Sequence, residues 1–330
     1  MIPEFYTRRP EWSDRIERIG ELIGRVSTFE EMGGAVLELR RTNRIASVHS
    51  STAIEGNPLT LAQVSDLADG VPVFAPPRAV REVENALAAY DAMGSFDAWS
   101  VDDLLRAHGL LTVGLVGESG AFRTVDVEIV GVDGTALHTG SRAEKVPRLI
   151  GELLEWARGS SDHPLVVSSA VHYLIEHIHP FRDGNGRLGR LWQTLILSRW
   201  RPVFAWMPTE SLIRRHQAGY YEALQASHEP EIDAAFFIDY MLGIIAESLL
   251  DYEARVRSGD THGGINGGIN GGINAVLALL RVEPRLSASA LAGRLGVGKR
   301  TVERDLAELK SAGRLRRVGS NKTGFWEIVG

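Results

Sequence analysis

The chain has no cysteine in 330 residues, which excludes a disulfide framework and any thiolate metal site. It also has no run of about 18 apolar residues, the length a membrane-spanning helix requires. Its opening, Met1-Ile2-Pro3-Glu4-Phe5, contains no apolar stretch of the signal-peptide kind, so a cytoplasmic protein without a membrane span is expected. At 44% apolar and 24% charged residues the composition is that of an ordinary globular protein with a full core, long enough for two or three domains. The net charge of −6 is unevenly placed: from Ala275 onward 11 Lys/Arg stand against 5 Asp/Glu, and before it 25 stand against 37. A segment of +6 following one of −12 is expected to meet different partners.

What the chain does contain is one dense stretch, His179-Pro180-Phe181-Arg182-Asp183-Gly184-Asn185-Gly186-Arg187-Leu188-Gly189-Arg190. Upstream, Val166, Val167, Ala170, Val171, Leu174, Ile175 and Ile178 recur at helical spacing behind Pro164, and downstream Leu188, Leu191, Trp192, Leu195 and Ile196 do the same. The stretch is therefore a tight loop delivering the chain into a helix that begins near Arg187. A helix N-terminus offers unpartnered N–H groups and a positive dipole end, so it favours an anion. Gly184 and Gly186 give the backbone the freedom to point successive N–H groups at one place, which suits a polyphosphate. Arg187 and Arg190, three residues apart on one face, would add forked donors. Asp183 is a hard oxygen ligand suited to Mg²⁺ beside a nucleotide, and His179 is the natural general base.

These residues resemble the core motif of the Fic family, His-x-Phe-x-Asp/Glu-Gly-Asn-Gly-Arg-x-x-Arg, with no departure at a specified position. The resemblance implies a mainly α fold: a Fic-type helical core with a small β-hairpin flap. It also implies a protein adenylyltransferase that moves AMP from ATP onto a Ser, Thr or Tyr hydroxyl of a target protein. By resemblance His179 deprotonates that hydroxyl, Asp183 holds Mg²⁺, and Gly184, Asn185 and Gly186 form the anion nest. Arg187 and Arg190 hold the phosphates, Arg190 nearest the γ-phosphate, and Phe181 anchors the loop.

Residues 13 to 54 read as helix, with a break expected at Gly33-Gly34. Ile45, Val48 and Thr52 form an inward stripe that Glu55 extends; Gly56 then closes the helix and Asn57-Pro58 stops it. A carboxylate on an inward stripe asks for a cation opposite. The stretch Ser51-Thr52-Ala53-Ile54-Glu55-Gly56 is similar to the Ser/Thr-x-x-x-Glu-Gly/Asn inhibitory motif of Fic proteins. That likeness implies autoinhibition through a Glu55–Arg190 pair that displaces the γ-phosphate, with Ser51 as the other motif residue.

Further along, Thr60-x-x-Gln63 has the form of a capping box, and helices are expected over 78–90 and 101–111, the latter capped by Ser100. His108 reads as a helical histidine without metal chemistry. Between Gly120 and Gly140 the period changes to two: Val125, Val127 and Ile129 alternate with acids, 132–135 supply a turn and 136–138 return. This hairpin is either structural or, as in Fic proteins, a flap that pairs with an extended piece of the target. Helices follow over 146–157, 211–226 and 234–256. His172 and His177 share no helical face with His179, which argues against a zinc site. The aromatic residues of 211–256 fit a core or a homodimer contact.

Residues 263 to 274 are three copies of Gly-Gly-Ile-Asn, read as a flexible tether. Beyond it, helices over 275–282, 287–295 and 299–312 and two short strands at 315–318 and 324–328 resemble a C-terminal winged helix-turn-helix domain. Lys299, Arg300, Thr301 and Arg304 lie at the start of its recognition helix as candidate nucleic-acid contacts. A DNA partner and a protein-docking role are equally open. The expected organisation is an N-terminal helical region at 1–98 with the inhibitory helix near 35–56, a catalytic core at 99–256, a linker at 257–274 and the winged helix at 275–330. Two alternatives to AMP transfer stand beside it: removal of AMP from a modified protein by the same site, and a DNA-binding regulator whose Fic core senses a nucleotide.

Overall fold

The structure is a computed structural model that describes residues 5–30, 35–130, 136–228, 232–258, 276–277, 279–280, 283–295, 298–311, 315–318 and 325–328. The break expected at Gly33-Gly34, the hairpin turn at 132–135, the Gly-Gly-Ile-Asn copies and the turn at 296–297 lie outside the described residues. Among the described residues before 263, eleven α-helices are formed: α1 (Trp12–Glu30), α2 (Ala35–Ile54), α3 (Leu61–Ala68), α4 (Pro77–Ala92), α5 (Val101–Thr112), α6 (Val146–Gly159), α7 (Pro164–Ile178), α8 (Asn185–Trp200), α9 (Thr209–Arg215), α10 (Gln217–Ala226) and α11 (Ala235–Ser258). Between α5 and α6, β1 (Glu128–Val130) and β2 (Ala136–Thr139) pair antiparallel. Among the described residues no helix is long and apolar enough to cross a membrane.

Helices α7 and α8 form the middle of the bundle, and nearly every side chain of both is buried. This is why their sequences lack the polar face of a surface helix. Around them α6 covers α7, α5 leans on α8, and α11 packs against both α7 and α1. Helix α2 lies against α4 and α9 and reaches α8 with its C-terminal end. Ile45, Val48 and Thr52 are buried as their spacing predicted. Polar side chains fix α2 in place: Ser47 donates to Glu210 Oε2 at 2.8 Å and Ser50 meets Ser211 Oγ at 2.9 Å. The same buried Glu210 accepts from Tyr90 at 2.7 Å and from Thr194 at 3.2 Å.

Three local expectations needed revision. The helix expected over 211–226 is two helices, because His216 leaves the helical region at φ −108°, ψ 35°; its carbonyl still accepts from Tyr220 N at 3.1 Å and takes a second bond from Tyr240 OH at 3.2 Å. The hairpin is shorter than the alternation at Val125 and Val127 suggested: Arg123 Nη1 claims the Val125 carbonyl at 2.7 Å, and a register irregularity falls between Ile129 and Val130. Helix α8 begins at Asn185, two residues before Arg187. The capping box at Thr60 and Gln63 is present as read, and Ser100 caps α5.

A second, separate hydrophobic cluster gathers Val276, Leu277, Leu280, Leu291, Val302, Leu306, Leu309, Leu315 and Trp326. Its elements are α12 (Ala288–Leu295), α13 (Lys299–Ser311) and the antiparallel pair β3 (Leu315–Val318) and β4 (Phe325–Ile328). Val302, Leu306 and Leu309 face inward, and Lys299 and Arg300 are exposed at the start of α13. The side chains of Thr301 and Arg304 lie outside the described residues.

Candidate active site

The loop from His179 to Gly184 is held from four sides. Asn185, the first residue of α8, reaches back so that its Oδ1 accepts from Phe181 N at 3.0 Å and its Nδ2 donates to the Phe181 carbonyl at 2.9 Å. Phe181 itself is fully buried and stacks on His108 with ring centroids 3.6 Å apart, a burial that contributes about 2–3 kcal/mol. His108 accepts from Gly120 N on Nδ1 at 3.1 Å, which leaves Nε2 as the donor to the Asp183 carbonyl at 3.0 Å. Burial pulls its pKa down to about 4, so the clamp is neutral. From the other side Arg123, only 2% exposed, gives Nε to the His179 carbonyl at 2.7 Å and Nη2 to the Ser141 carbonyl at the foot of the hairpin.

His179 sits in the left-handed region at φ 53°, the sole non-glycine residue among those described to do so. Such a conformation is uncommon for any residue but glycine, with Asn, Asp and His enriched among the exceptions, and it clusters at functional sites. Its Nδ1 lies 3.2 Å from the Glu176 carbonyl. A carbonyl only accepts, so Nδ1 carries the proton and Nε2 is the basic nitrogen of the neutral ring.

Gly184 and Gly186 turn out to be glycine for different reasons. Gly184 has φ +85° and stands at the N-cap of α8, where it supplies no side-chain cap. The first N–H groups of α8 are thus left to an incoming acceptor. Gly186 is helical, and its need is for space: a Cβ there would come 2.5 Å from Glu55 Oε1 and 3.0 Å from Arg190 Nη1.

The two motif arginines are buried and already partnered. Arg187 meets Glu82 Oε1 at 2.6 Å and Asp183 Oδ1 at 3.0 Å. Arg190, its side chain 1% exposed, gives Nε to Ser51 Oγ at 3.1 Å and Nη2 to the Ser51 carbonyl at 3.0 Å and to Glu55 Oε1 at 2.6 Å. The Ser51 carbonyl is one of the last of α2, so the negative end of that helix also points at the guanidinium. Glu55 is not the buried carboxylate that its place on the stripe suggested. It lies just past the helix with its side chain 35% exposed, and the buried charge is the arginine. Asp183 keeps 40% of its side chain exposed and faces Arg78 Nη2 at 3.4 Å. Among the described residues no group of three or more His, Asp or Glu side chains could hold a metal by itself. A single half-exposed carboxylate, engaged by Arg187 on Oδ1 and by Arg78 on Oδ2, fits Mg²⁺ if the ion displaces these contacts, since Mg²⁺ draws most of its oxygens from water and nucleotide.

Glu82, Glu176 and Glu210 also belong to these networks and were not singled out from sequence; Arg123 was named only within Gly120-Ala121-Phe122-Arg123, a loose match to the Fic flap region, and Tyr220 only as an aromatic of the core or a dimer contact. Glu82 also accepts from Asn57 Nδ2 at 2.8 Å, joining the segment after Glu55 to Arg187. Each is a common residue type in a helix or loop, and only the three-dimensional pairing marks it.

The sequence profile of the Fic/DOC family matches residues 98–197, and that of an HTH domain matches residues 273–324. A protein adenylyltransferase Fic from Aedes aegypti is 26% identical over 231 residues, 66% of this chain and 44% of the relative, so the chain spans less than half the length of the curated relatives it matches. Among solved structures, residues 134–508 of Fic-1 from C. elegans share the fold, with 23% identity and a TM-score of 0.59 over 74% of each chain. A Fic family protein from Desulfovibrio desulfuricans G20 has a TM-score of 0.72 and 35% identity, with 100% of this chain and 99% of that one covered. A likeness of that extent, over a mainly helical fold with a small hairpin and a helix-turn-helix, identifies the chain as a member of the Fic family.

Proposed function

We propose that the chain transfers AMP from ATP to a Ser, Thr or Tyr hydroxyl of a target protein, and that Glu55 restrains it. The observation that carries this reading is the position of His179 Nε2, a fixed base one tight turn from an uncapped helix N-terminus flanked by two buried arginines. The polyphosphate of ATP would lie on the N–H groups of α8, with Arg187 and Arg190 binding its oxygens. His179 takes the proton of the incoming hydroxyl as its oxygen attacks the α-phosphorus. The bond to the β-phosphate breaks and pyrophosphate leaves. Asp183 would hold Mg²⁺, whose charge offsets that of the phosphates. The Arg190–Glu55 contact at 2.6 Å occupies a guanidinium the γ-phosphate needs, which supports the restraint. Residues 99–256 would carry the catalysis and residues 1–98 the inhibitory helix.

The test follows both ends of ATP. With Glu55→Gly protein and a heat-inactivated cell lysate as acceptor, compared with that lysate alone, label from α-labelled ATP is expected on protein and label from γ-labelled ATP is not. Protein labelled from the γ position would mean phosphoryl transfer and would overturn the reading.

The helix-turn-helix match and the exposed Lys299 and Arg300 favour a second role, duplex DNA binding by residues 275–330. Lys299 is in part engaged by Glu303 at 3.3 Å, an exposed pair that a phosphate can displace. For the full chain, replacing both Lys299 and Arg300 by alanine should lower the slope of log K against log salt by about 2. Binding that is absent or indifferent to salt would exclude the role.

A further inference from the structure

Beside the Glu55–Arg190 pair lies a second carboxylate that the chemistry above does not use. Glu176, in the last turn of α7, accepts from Tyr220 OH on Oε1 at 3.0 Å. Tyr220 is buried, and its oxygen also lies 3.1 Å from His172 Nε2, while His172 Nδ1 meets Gln193 Oε1 at 2.7 Å. The spot a Gly186 Cβ would occupy is 2.5 Å from Glu55 Oε1 and 3.0 Å from both Arg190 Nη1 and Glu176 Oε1. Two carboxylates and one guanidinium therefore converge on the first turn of α8. Arg190 Nη2 belongs to Glu55, whereas Arg190 Nη1 is buried without a hydrogen-bond partner and aims into the same small space.

One cation cannot neutralise two carboxylates, and the enclosed one is the costlier to ionise. Burial first, and then repulsion from Glu55, push Glu176 up to about 7. The other groups facing it are Arg190 on α8, Tyr220 and Tyr221 on α10, and His172 and His179 on or ending α7. Burial raises both tyrosines and pulls His172 down to about 3, so these three stay neutral near pH 7. When no anion sits on Arg190, Glu176 is the nearest carboxylate left to balance it. When an anion arrives, the surplus charge is relieved by a proton.

We propose that Glu176 is a positioning residue that exchanges a proton with solvent whenever an anion enters or leaves Arg190: ionised opposite a bare guanidinium, protonated when Glu55 or a nucleotide phosphate occupies it. This rests on the reading that Arg190 receives a phosphate. In effect Glu176 keeps the guanidinium paired between turnovers and withdraws its charge as the nucleotide binds.

The experiment is calorimetric titration of a non-transferable ATP analogue at pH 7, in buffers of different ionisation enthalpy. It compares the full chain carrying Glu55→Gly with one carrying Glu55→Gly and Glu176→Gln. Glutamine keeps the shape and the Tyr220 contact but cannot titrate, and the protons of His179 and of the nucleotide are common to both proteins. Glu55→Gly should take up roughly half a proton more per nucleotide than the double variant, as expected of a carboxyl brought near pKa 7 by a second anion. The double variant's advantage in affinity should also widen from pH 6 to pH 8. Equal proton counts with parallel pH dependence overturn this inference and leave the proposed function standing. Absence of nucleotide binding by either protein overturns both.

Discussion

Glu55→Gly is expected to raise incorporation of label from α-labelled ATP by about 10- to 100-fold over the parent. A hydrogen bond between charged groups contributes about 1.5–3 kcal/mol net, and each 1.4 kcal/mol corresponds to a factor of about ten in population. The bond at issue joins Arg190 Nη2 to Glu55 Oε1 at 2.6 Å, with the arginine 1% and the glutamate 35% exposed. Losing it leaves Arg190 tied to Ser51 alone, by Oγ and the carbonyl, so the guanidinium keeps its place and regains a free direction. Gly186 needs no movement, since the atom removed is the one closest to it. Initial rates over a range of ATP concentrations provide the check. Equal rates for parent and variant would show that the pair restrains nothing.

In that released background, His179→Ala should lower the transfer rate by about 10²- to 10⁴-fold, the usual contribution of a positioned general base, while nucleotide binding persists. The groups proposed to face the phosphates, the α8 N-terminus and the two arginines, belong to other residues and stay in place. The left-handed backbone at φ 53° complicates alanine, because that conformation costs an L-residue about 1–2 kcal/mol. His179→Asn is therefore the companion variant: asparagine accepts the backbone conformation but is no base. Both should fail alike in transfer and bind the analogue alike. A rate above one tenth of the released protein's would remove His179 from the role.

The parts of this molecule legible in its sequence are those whose information is local. The helices around the motif follow from the spacing of Val166 to Ile178 and Leu188 to Ile196; the caps at Ser100 and Thr60 follow from short-range chemistry. The approach of Glu55 to Arg190, 135 residues apart, was legible through a resemblance between motifs, since periodicity carries no information on such a pairing. Where the reading failed, a distant group had intervened. Tyr240 OH adds a bond to the His216 carbonyl at the point where the backbone turns between two helices, and Arg123 takes the Val125 carbonyl beside the shortened strand. Gly186 illustrates the same limit from within the motif, for its glycine answers to three side chains: Glu55 just past α2, Glu176 of α7 and Arg190 of α8. Glu176 gave no sign and Tyr220 read only as a core or dimer aromatic, because a glutamate near a helix end and a tyrosine in an apolar face are ordinary until they meet.

The anchoring of α2 through Ser47, Ser50 and the shared Glu210 has a bearing on how restraint is lifted. A helix bonded to α9 at Ala46, Ser47 and Ser50 and linked through Glu210 to Tyr90 and Thr194 is a fixed post. Glu55 stands one step beyond its end, partly in water, and moves by side-chain torsions alone. If Glu55 restrains Arg190 as proposed, the device would be a hinged latch on a rigid frame, opening and shutting without any element of the bundle undocking.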